Sequence, residues 1–421
     1  MRVLGGPPHD SVMQYRDQTL YLEDVPLADI AKRHGTPCYV YTSASILGKF
    51  QAYEEAFGGV PHQICYAAKA NSNLAILKLL AEAGAGFDIV SGGELFRVLK
   101  AGGYPAKVIF SGVGKTAAEL DYALEQNIRG FNCESEPELA LIDSLAARRG
   151  VKARIALRVN PDVDASTHPY ISTGLRKHKF GIDISEAESV YGRARTFQNL
   201  VPEGVSCHIG SQILDIQPML EVFDKMVALT ERLRAQGLPI QSLDLGGGLG
   251  VAYHKGETAP PIAEYIHAMC QRVAGHNLEI LIEPGRSIVA EAGLLVTRVL
   301  YRKINGKKEF VIVDAAMNDL IRPALYHSYH HIVPLRQTDA DKIVADVVGP
   351  ICETGDFLAR EREMPNVFPG DLLAICTVGA YGFVAASNYN ARPRPPEILV
   401  EGDRHRVIRK RESYEDLIRG E

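Results

Sequence analysis

The chain has 421 residues, of which 46% are hydrophobic and 23% charged, and a formal net charge of -5 at pH 7. That length suits about two or three domains, and the composition is that of a globular protein with a sizeable core. The small negative charge argues against a general attraction to nucleic acid or acidic membranes, and no apolar run reaches the roughly 20 residues of a membrane span. The seven cysteines lie singly, without a Cys-x-x-Cys pair or a His/Cys metal spacing. Such a set suits a reducing compartment, and the N-terminus lacks the apolar core of a signal peptide. A cytoplasmic protein with no bound metal is expected.

Taken in order, Thr19-Leu-Tyr-Leu22 reads as a short strand and residues 26–35 as a short helix stopped by Gly35. Residues 37–42 form a further strand, and Ser43 caps a helix running to about Phe57. The stretch His62-Gln-Ile-Cys-Tyr-Ala-Ala-Lys-Ala-Asn71 organises the rest of the chain. Its apolar run, residues 64–68, delivers Lys69, and Asn71-Ser72-Asn73 caps a helix carrying Leu74, Leu77, Leu80 and Ala81 at helical spacing. An amine at the end of a buried strand is costly to keep charged. Desolvation lowers its pKa and frees the neutral form as a nucleophile toward a carbonyl. Taken alone, an exposed lysine at a strand end is the commoner arrangement.

From here a unit of apolar strand, short turn and amphipathic helix repeats. The strands are 64–68, 86–90, 108–111, 130–133, 153–159, 204–209, 242–245 and 278–283. Eight such units match a TIM barrel, although a doubly wound sheet has the same alternation. The barrel is preferred because unusual residues recur at successive strand ends: Lys69, Asp88, Ser91, Ser111, Asn160, His208, residues 246–248 and Glu283. A barrel gathers that face into one ring. After residue 286 helices thin out, and strand-like segments at 294–299, 310–313, 343–348, 372–376 and 397–400 alternate with Pro/Gly turns. We therefore expect a TIM barrel over residues 37–285, and an all-β domain from 286–421 joined by the N-terminal segment 1–36, with the strand near Leu20 completing it.

Asp244-Leu-Gly-Gly-Gly-Leu-Gly250 follows a strand end, where glycines let backbone N–H groups crowd an anion. One strand later, Glu283-Pro-Gly-Arg-Ser287 offers the N–H groups of Gly285, Arg286 and Ser287. Loops after the last two barrel strands commonly hold phosphate, and either loop alone is as well read as a tight turn. A phosphate, a buried lysine and a barrel together suggest pyridoxal 5'-phosphate. Lys69 would hold the aldehyde as an imine, and Glu283 would keep the pyridine nitrogen protonated, making the ring an electron sink. His208, in Cys207-His-Ile-Gly-Ser-Gln212, is placed to stack on the ring, although a core histidine is the commoner role.

These motifs carry a family resemblance. Tyr66-Ala-Ala-Lys-Ala-Asn71, Phe87-Asp-Ile-Val-Ser-Gly-Gly-Glu-Leu95, His168-Pro-Tyr-Ile-Ser-Thr-Gly174, His208-Ile-Gly-Ser-Gln212, Gly246-Gly-Gly248 and Glu283-Pro-Gly-Arg286 occur in order. Met317-Asn-Asp-Leu-Ile-Arg-Pro-Ala-Leu-Tyr326, Gly349-Pro-Ile-Cys-Glu-Thr-Gly-Asp356, Gly379-Ala-Tyr-Gly382 and Tyr389-Asn-Ala-Arg-Pro-Arg-Pro395 come after them. The chain resembles the pyridoxal-phosphate decarboxylases with an alanine-racemase-like barrel, and among them the diaminopimelate decarboxylases. Ala315-Ala316 and Thr354 depart from the usual residues without touching a role carried over.

The resemblance implies decarboxylation of meso-2,6-diaminopimelate to L-lysine and CO2. It makes Lys69 the Schiff-base lysine, places His208 on the ring and pairs Glu283 with the ring nitrogen. It has Gly247, Gly248 and the backbone of Gly285, Arg286 and Ser287 hold the phosphate, helped by Tyr381. Asp88 and Ser211 join the cofactor contacts. Arg286, Arg322, Tyr326, Glu353 and Tyr381 become substrate contacts and Cys352 the proton donor, in a loop shared between the subunits of a homodimer. A thiol is protonated at neutral pH and suits that role. Two arginines offer planar forks for a carboxylate that is kept, unless they pair with Asp319 or Asp356, and Glu353 offers a partner for a distant ammonium. The alternatives are a decarboxylase of another diamino acid, a polyamine precursor or a carrier-bound amino acid, an amino-acid racemase, and a non-catalytic cofactor binder. Glu283 argues against the racemase and Cys352 against the binder. Residues 168–180 read as a mobile lid.

Overall fold

The computed structural model describes residues 12–163, 179–254 and 256–421. The 168–174 motif, and with it most of the 168–180 segment, lies outside the described residues. Contacts divide the chain into two compact units: Lys49–Val251 with Ala259–Ser287, and Met1–Gly48 with Ala252–Thr258 and Ile288–Glu421.

The first unit is a closed parallel barrel. Its strands are β1 (His62–Ala67), β2 (Gly86–Ile89), β3 (Val108–Phe110), β4 (Gly130–Cys133), β5 (Ala153–Asn160), β6 (Leu200–Ser206), β7 (Ser242–Asp244) and β8 (Glu279–Ile282). Each pairs in parallel with the next, and β8 pairs with β1 to close the ring. Both faces of such strands are covered, so they read as unbroken apolar runs; β2 and β3 are buried throughout. The two-residue strand Ile182–Asp183 adds to the outer side of β5. β6 starts earlier than expected because it tolerates Pro202 at a register shift between Pro202 and Gly204.

Short polar caps start the helices that follow the first three strands. Asn73 caps Leu74–Glu82 by accepting from the Ala75 N–H at 2.9 Å. Ser91 caps Gly92–Lys100 through the Glu94 N–H, and Thr116 with Glu119 forms a capping box on Ala117–Glu125. The result fixes a set of side chains at the C-terminal strand ends, the face on which barrels place their chemistry.

The second unit is β-rich. Its main sheet includes Gly293–Asn305, Lys308–Val313, Lys342–Val348, Phe357–Pro365, Glu397–Glu401 and Arg404–Arg409. One expectation is corrected here. The strand Cys38–Thr42 is not part of the barrel; it pairs antiparallel with Gly293–Asn305 and parallel with Glu397–Glu401. All five of its residues are buried, which requires a sheet on either side. The division between units falls inside the helix Ser43–Phe57 instead of before residue 37. Thr19–Leu22 joins this unit, but in a small antiparallel sheet with Met13–Arg16 and Val25–Pro26. Leu20 and Leu22 nonetheless pack in one core with Leu294, Val296, Ala374, Ile398 and Val400.

Candidate active site

Lys69 lies in the single turn Ala68–Ala70 just beyond β1. Its Nζ sits 2.5 Å from the Asp88 Oδ2 on neighbouring β2. The expectation of a buried, desolvated amine is corrected: the side chain is 35% exposed and is held by an acid. Asp88 itself is fully buried, and its Oδ1 has no hydrogen-bond partner among the described residues. A buried acceptor left without a donor is expensive, and it lies beside the Lys69 amine.

Across the barrel, Glu283 follows β8 and is buried. Its Oε1 accepts from the Ser111 hydroxyl at 3.3 Å and from the Asn132 amide at 3.1 Å. Burial, then the negative charges of Asp244 and Asp88, push its carboxyl well above the ordinary range, while the Lys69 cation opposes them. The backbone joins this corner to the glycine loop, because the Glu283 N–H donates to the Gly246 carbonyl at 2.8 Å.

His208 stands after β6. Its Nδ1 accepts the Gly247 N–H at 3.2 Å. Burial and the cations of Arg158 and Lys69 hold the imidazole well below its usual pKa, so the ring is neutral. Arg158 on β5 is buried, pairs with Glu134 at 3.0 Å and donates to the His208 carbonyl at 3.4 Å. Glu134 also accepts the Gly181 N–H at 2.6 Å.

The glycine loop is tight enough to exclude side chains. A Cβ on Gly246 would lie 2.6 Å from the Cys207 carbonyl oxygen, one on Gly248 would lie 2.7 Å from that of Gly210, and one on Gly247 would strike the Glu283 carbonyl oxygen. Gly246 and Gly248 also have φ of +66° and +114°. On the next loop Gly285 packs against Ala67 and Ala70, and Arg286 opens the short helix Arg286–Val289. Arg286 is buried and donates to the Ser211 hydroxyl from Nε at 3.3 Å and Nη2 at 3.1 Å. The Ser287 hydroxyl is 2.7 Å from the Tyr53 hydroxyl. Of the expected ring, Ser91 serves a different purpose, since its hydroxyl caps a helix.

The structure thus brings Lys69, Asp88, His208, Ser211, Gly247, Gly248, Glu283, Gly285, Arg286 and Ser287 together in the barrel unit. Arg322, Tyr326, Cys352, Glu353 and Tyr381 belong to the β-rich unit. There Arg322 is buried, with its guanidinium carbon 5.3 Å from the Tyr253 ring centre and 5.8 Å from that of Tyr326. Asp356 is engaged by the N–H groups of Met317 and Ile351, each at 2.7 Å, and Asp319 by those of Ala316 and the Asn318 amide. Cys352 is exposed, with its N–H on Asn390 at 2.9 Å, and Glu353 accepts from the Tyr389 hydroxyl at 2.7 Å. Tyr381 sits at φ +58°, a left-handed backbone that is uncommon outside glycine.

Three residues that matter here are not singled out by the sequence motifs: Asn132, Asp244 and Arg158. A signal for them exists all the same. Each is a polar side chain on a barrel strand whose neighbours are apolar, which demands a buried partner.

The site fits pyridoxal phosphate on its own features: a partly exposed amine, a buried acceptor beside it lacking a donor among the described residues, a neutral imidazole, a buried acid and a run of three glycines that leaves no room for a Cβ. The described residues include no helix long and apolar enough to cross a membrane. The family described as pyridoxal-dependent decarboxylase, pyridoxal binding domain, matches residues 43–290. The chain is 54% identical to the diaminopimelate decarboxylase of Pseudomonas aeruginosa, over 97% of this chain and 98% of that relative. The crystal structure of diaminopimelate decarboxylase from Helicobacter pylori complexed with L-lysine superposes with a TM-score of 0.90 at 47% identity, covering 93% of this chain and 98% of that one. The structure from M. jannaschii in co-complex with L-lysine gives 0.93 at 38% identity, covering 97% of each chain. The chain belongs to the diaminopimelate decarboxylase family of pyridoxal-dependent decarboxylases.

Proposed function

We propose that this protein removes one carboxyl group of meso-2,6-diaminopimelate as CO2, giving L-lysine, with pyridoxal 5'-phosphate as cofactor. The observation that carries the reading is the charge grouping at the C-terminal end of the barrel, where Lys69 is held on Asp88 and both act on the buried acid Glu283. The L-lysine complex of the H. pylori relative supports the choice of substrate.

When bound, the cofactor supplies an electron sink for the charge left at Cα after CO2 departs. Lys69 is the amine that would hold its aldehyde, and Glu283 the acid that would keep its ring nitrogen protonated. The neutral imidazole of His208 offers a flat surface for the ring. Backbone N–H groups of Gly247, Gly248 and Gly285 to Ser287, with Tyr381, would hold the phosphate. Arg286 and Arg322 fork onto the carboxylate that is kept. Tyr326 lines the substrate's far end and Glu353 takes the distal ammonium. The Cys352 Sγ–H returns a proton to Cα, a role worth roughly 10²–10⁴-fold. A racemase reading fares worse, because an acid at the ring nitrogen favours charge delocalisation over simple return of the proton.

A cytoplasmic homodimer with shared sites completes the proposal: Cys352 and Glu353 are exposed, as a loop reaching a neighbouring subunit would be. Mixing Lys69→Ala and Cys352→Ala chains should restore part of the activity through hybrid dimers. No recovery after demonstrated subunit exchange would remove the sharing. For the reaction itself, purified protein with added cofactor and meso-diaminopimelate should release CO2 and L-lysine in equal amounts. Release of neither, with cofactor bound, would sink the reading.

A further inference from the structure

We propose that Asp244 is a positioning residue for Glu283, the two forming one buried carboxyl pair that keeps a single proton between them. The inference rests on the reading above in taking Glu283 as the group that faces the cofactor, but the pair is a property of the protein alone.

Three geometric facts carry it. Asp244 ends β7 opposite Leu281 of β8, and Glu283 lies two residues beyond Leu281, so both side chains fall on the same face of neighbouring strands. The Asn132 amide bridges them, donating to the Asp244 Oδ2 at 2.8 Å and the Glu283 Oε1 at 3.1 Å. One amide nitrogen within hydrogen-bond distance of both oxygens holds the two carboxyl groups close together. Two ionised carboxylates held this close and away from water repel one another, and a proton on one of them relieves the repulsion. Both groups are nine-tenths buried or more, at 3% and 7% exposed.

The surroundings favour one proton over none or two. Burial raises both carboxyls, as expected for like charges that cannot ionise together. The Gly246 N–H stands 2.9 Å from the Asp244 Oδ1 and the shared Asn132 amide sits nearer to Asp244, at 2.8 against 3.1 Å, whereas the Ser111 hydroxyl stands 3.3 Å from Glu283, so the shorter donor contacts favour the anion on Asp244. The proton is thereby left on Glu283. The other titratable groups facing the pair are Lys69, Asp88, Cys65, Cys207 and Tyr265. Burial pushes the two thiols and the phenol upward, so they stay neutral and add no charge. Lys69 and Asp88 form an ion pair with each other.

Asp244 has a second connection that Glu283 lacks. It lines a cavity of about 30 Å³ together with Asn132, Arg129, Arg154, Glu203 and Ser242. That space holds about one water and leads from the pair toward the N-terminal ends of the strands.

The test is infrared titration of the full-length protein freed of cofactor. Wild type should show the stretch of a protonated carboxyl at pH 7. Glu283→Gln should reduce it to the part that Asp319 contributes, whose burial lifts its carboxyl to about 7, because Asp244 is then a lone anion well supplied with donors. Asp244→Asn should lower the midpoint of the band by about one pH unit or more, since a neighbouring charge is removed. No band in wild type, a band unchanged in Glu283→Gln, or equal midpoints in wild type and Asp244→Asn would each overturn the proposal. Should Asp244→Asn not fold, the wild-type and Glu283→Gln spectra decide alone. No cofactor or substrate is present, so this outcome is independent of whether the decarboxylase reading stands.

Discussion

Gly247→Ala is the sharpest perturbation the site offers. Gly247 has no left-handed backbone to lose, so its need for glycine is purely spatial. An added Cβ would strike the Glu283 carbonyl oxygen and lie 3.1 Å from the carbonyl carbon and 3.8 Å from the Pro284 Cα. These are backbone atoms at the end of β8 and cannot swing aside as a side chain would. Overpacking of this kind costs about 1–3 kcal/mol, which at roughly 2–4 °C per kcal/mol for a unit of this size lowers Tm by about 2–12 °C. The phosphate loop and Glu283 would move together, so the Kd for pyridoxal phosphate should rise by a similar free energy, about 5- to 150-fold. Thermal melts and a cofactor titration read both quantities. Gly48→Ala is the control: it is exposed within the helix Ser43–Phe57 and its Cβ would meet nothing within 4 Å. That change should stabilise by about 0.5–1 kcal/mol. A Gly247→Ala protein with wild-type Tm and wild-type cofactor affinity would refute the close approach of the two loops.

Asn132→Ala removes the amide that serves both buried acids and should cost about 1–3 kcal/mol in chemical unfolding. Arg158→Ala leaves Glu134 buried without its cation, and breaking a buried pair costs about 3–5 kcal/mol; a loss under about 1 kcal/mol would show that the pair is solvated and worth no more than a surface one. Glu94 gives a pH prediction. Burial, then the charge of Asp88, lift its carboxyl to about 6 against the pull of the Val90 N–H. A raised carboxyl favours the protonated fold, so its contribution is fully present below about 4.5 and is lost as pH rises through about 6. Glu94→Gln should flatten the stability profile across that window, and an unchanged profile would contradict the burial.

The barrel is legible because its strands are continuous apolar runs, each followed by a cap and a helix. The sequence does not say which sheet Cys38–Thr42 enters, since its partners Gly293–Asn305 and Glu397–Glu401 lie far along the chain. The strands Phe357–Pro365 and Arg404–Arg409 escape a sequence reading for a related reason. Both are sheet edges, the first carrying Arg and Glu and the second Arg and His, and charged edges guard against unwanted pairing while hiding the strand pattern. In the site, Lys69, His208 and Glu283 stand out because each residue type has chemistry at a strand end. Asp244 and Asn132 do not, because their significance is mutual and emerges only when strands β4, β7 and β8 close around one interior. Lys69 differs from expectation for the same reason: the acid beside it, Asp88, comes from the neighbouring strand.

The central claim is that Lys69 holds the cofactor. Incubating the protein with pyridoxal 5'-phosphate, reducing with borohydride and mapping the peptides by mass spectrometry tests it directly. The account predicts the reduced cofactor on Lys69, and none in a Lys69→Ala protein. Label on another lysine with Lys69 left unmodified would contradict it.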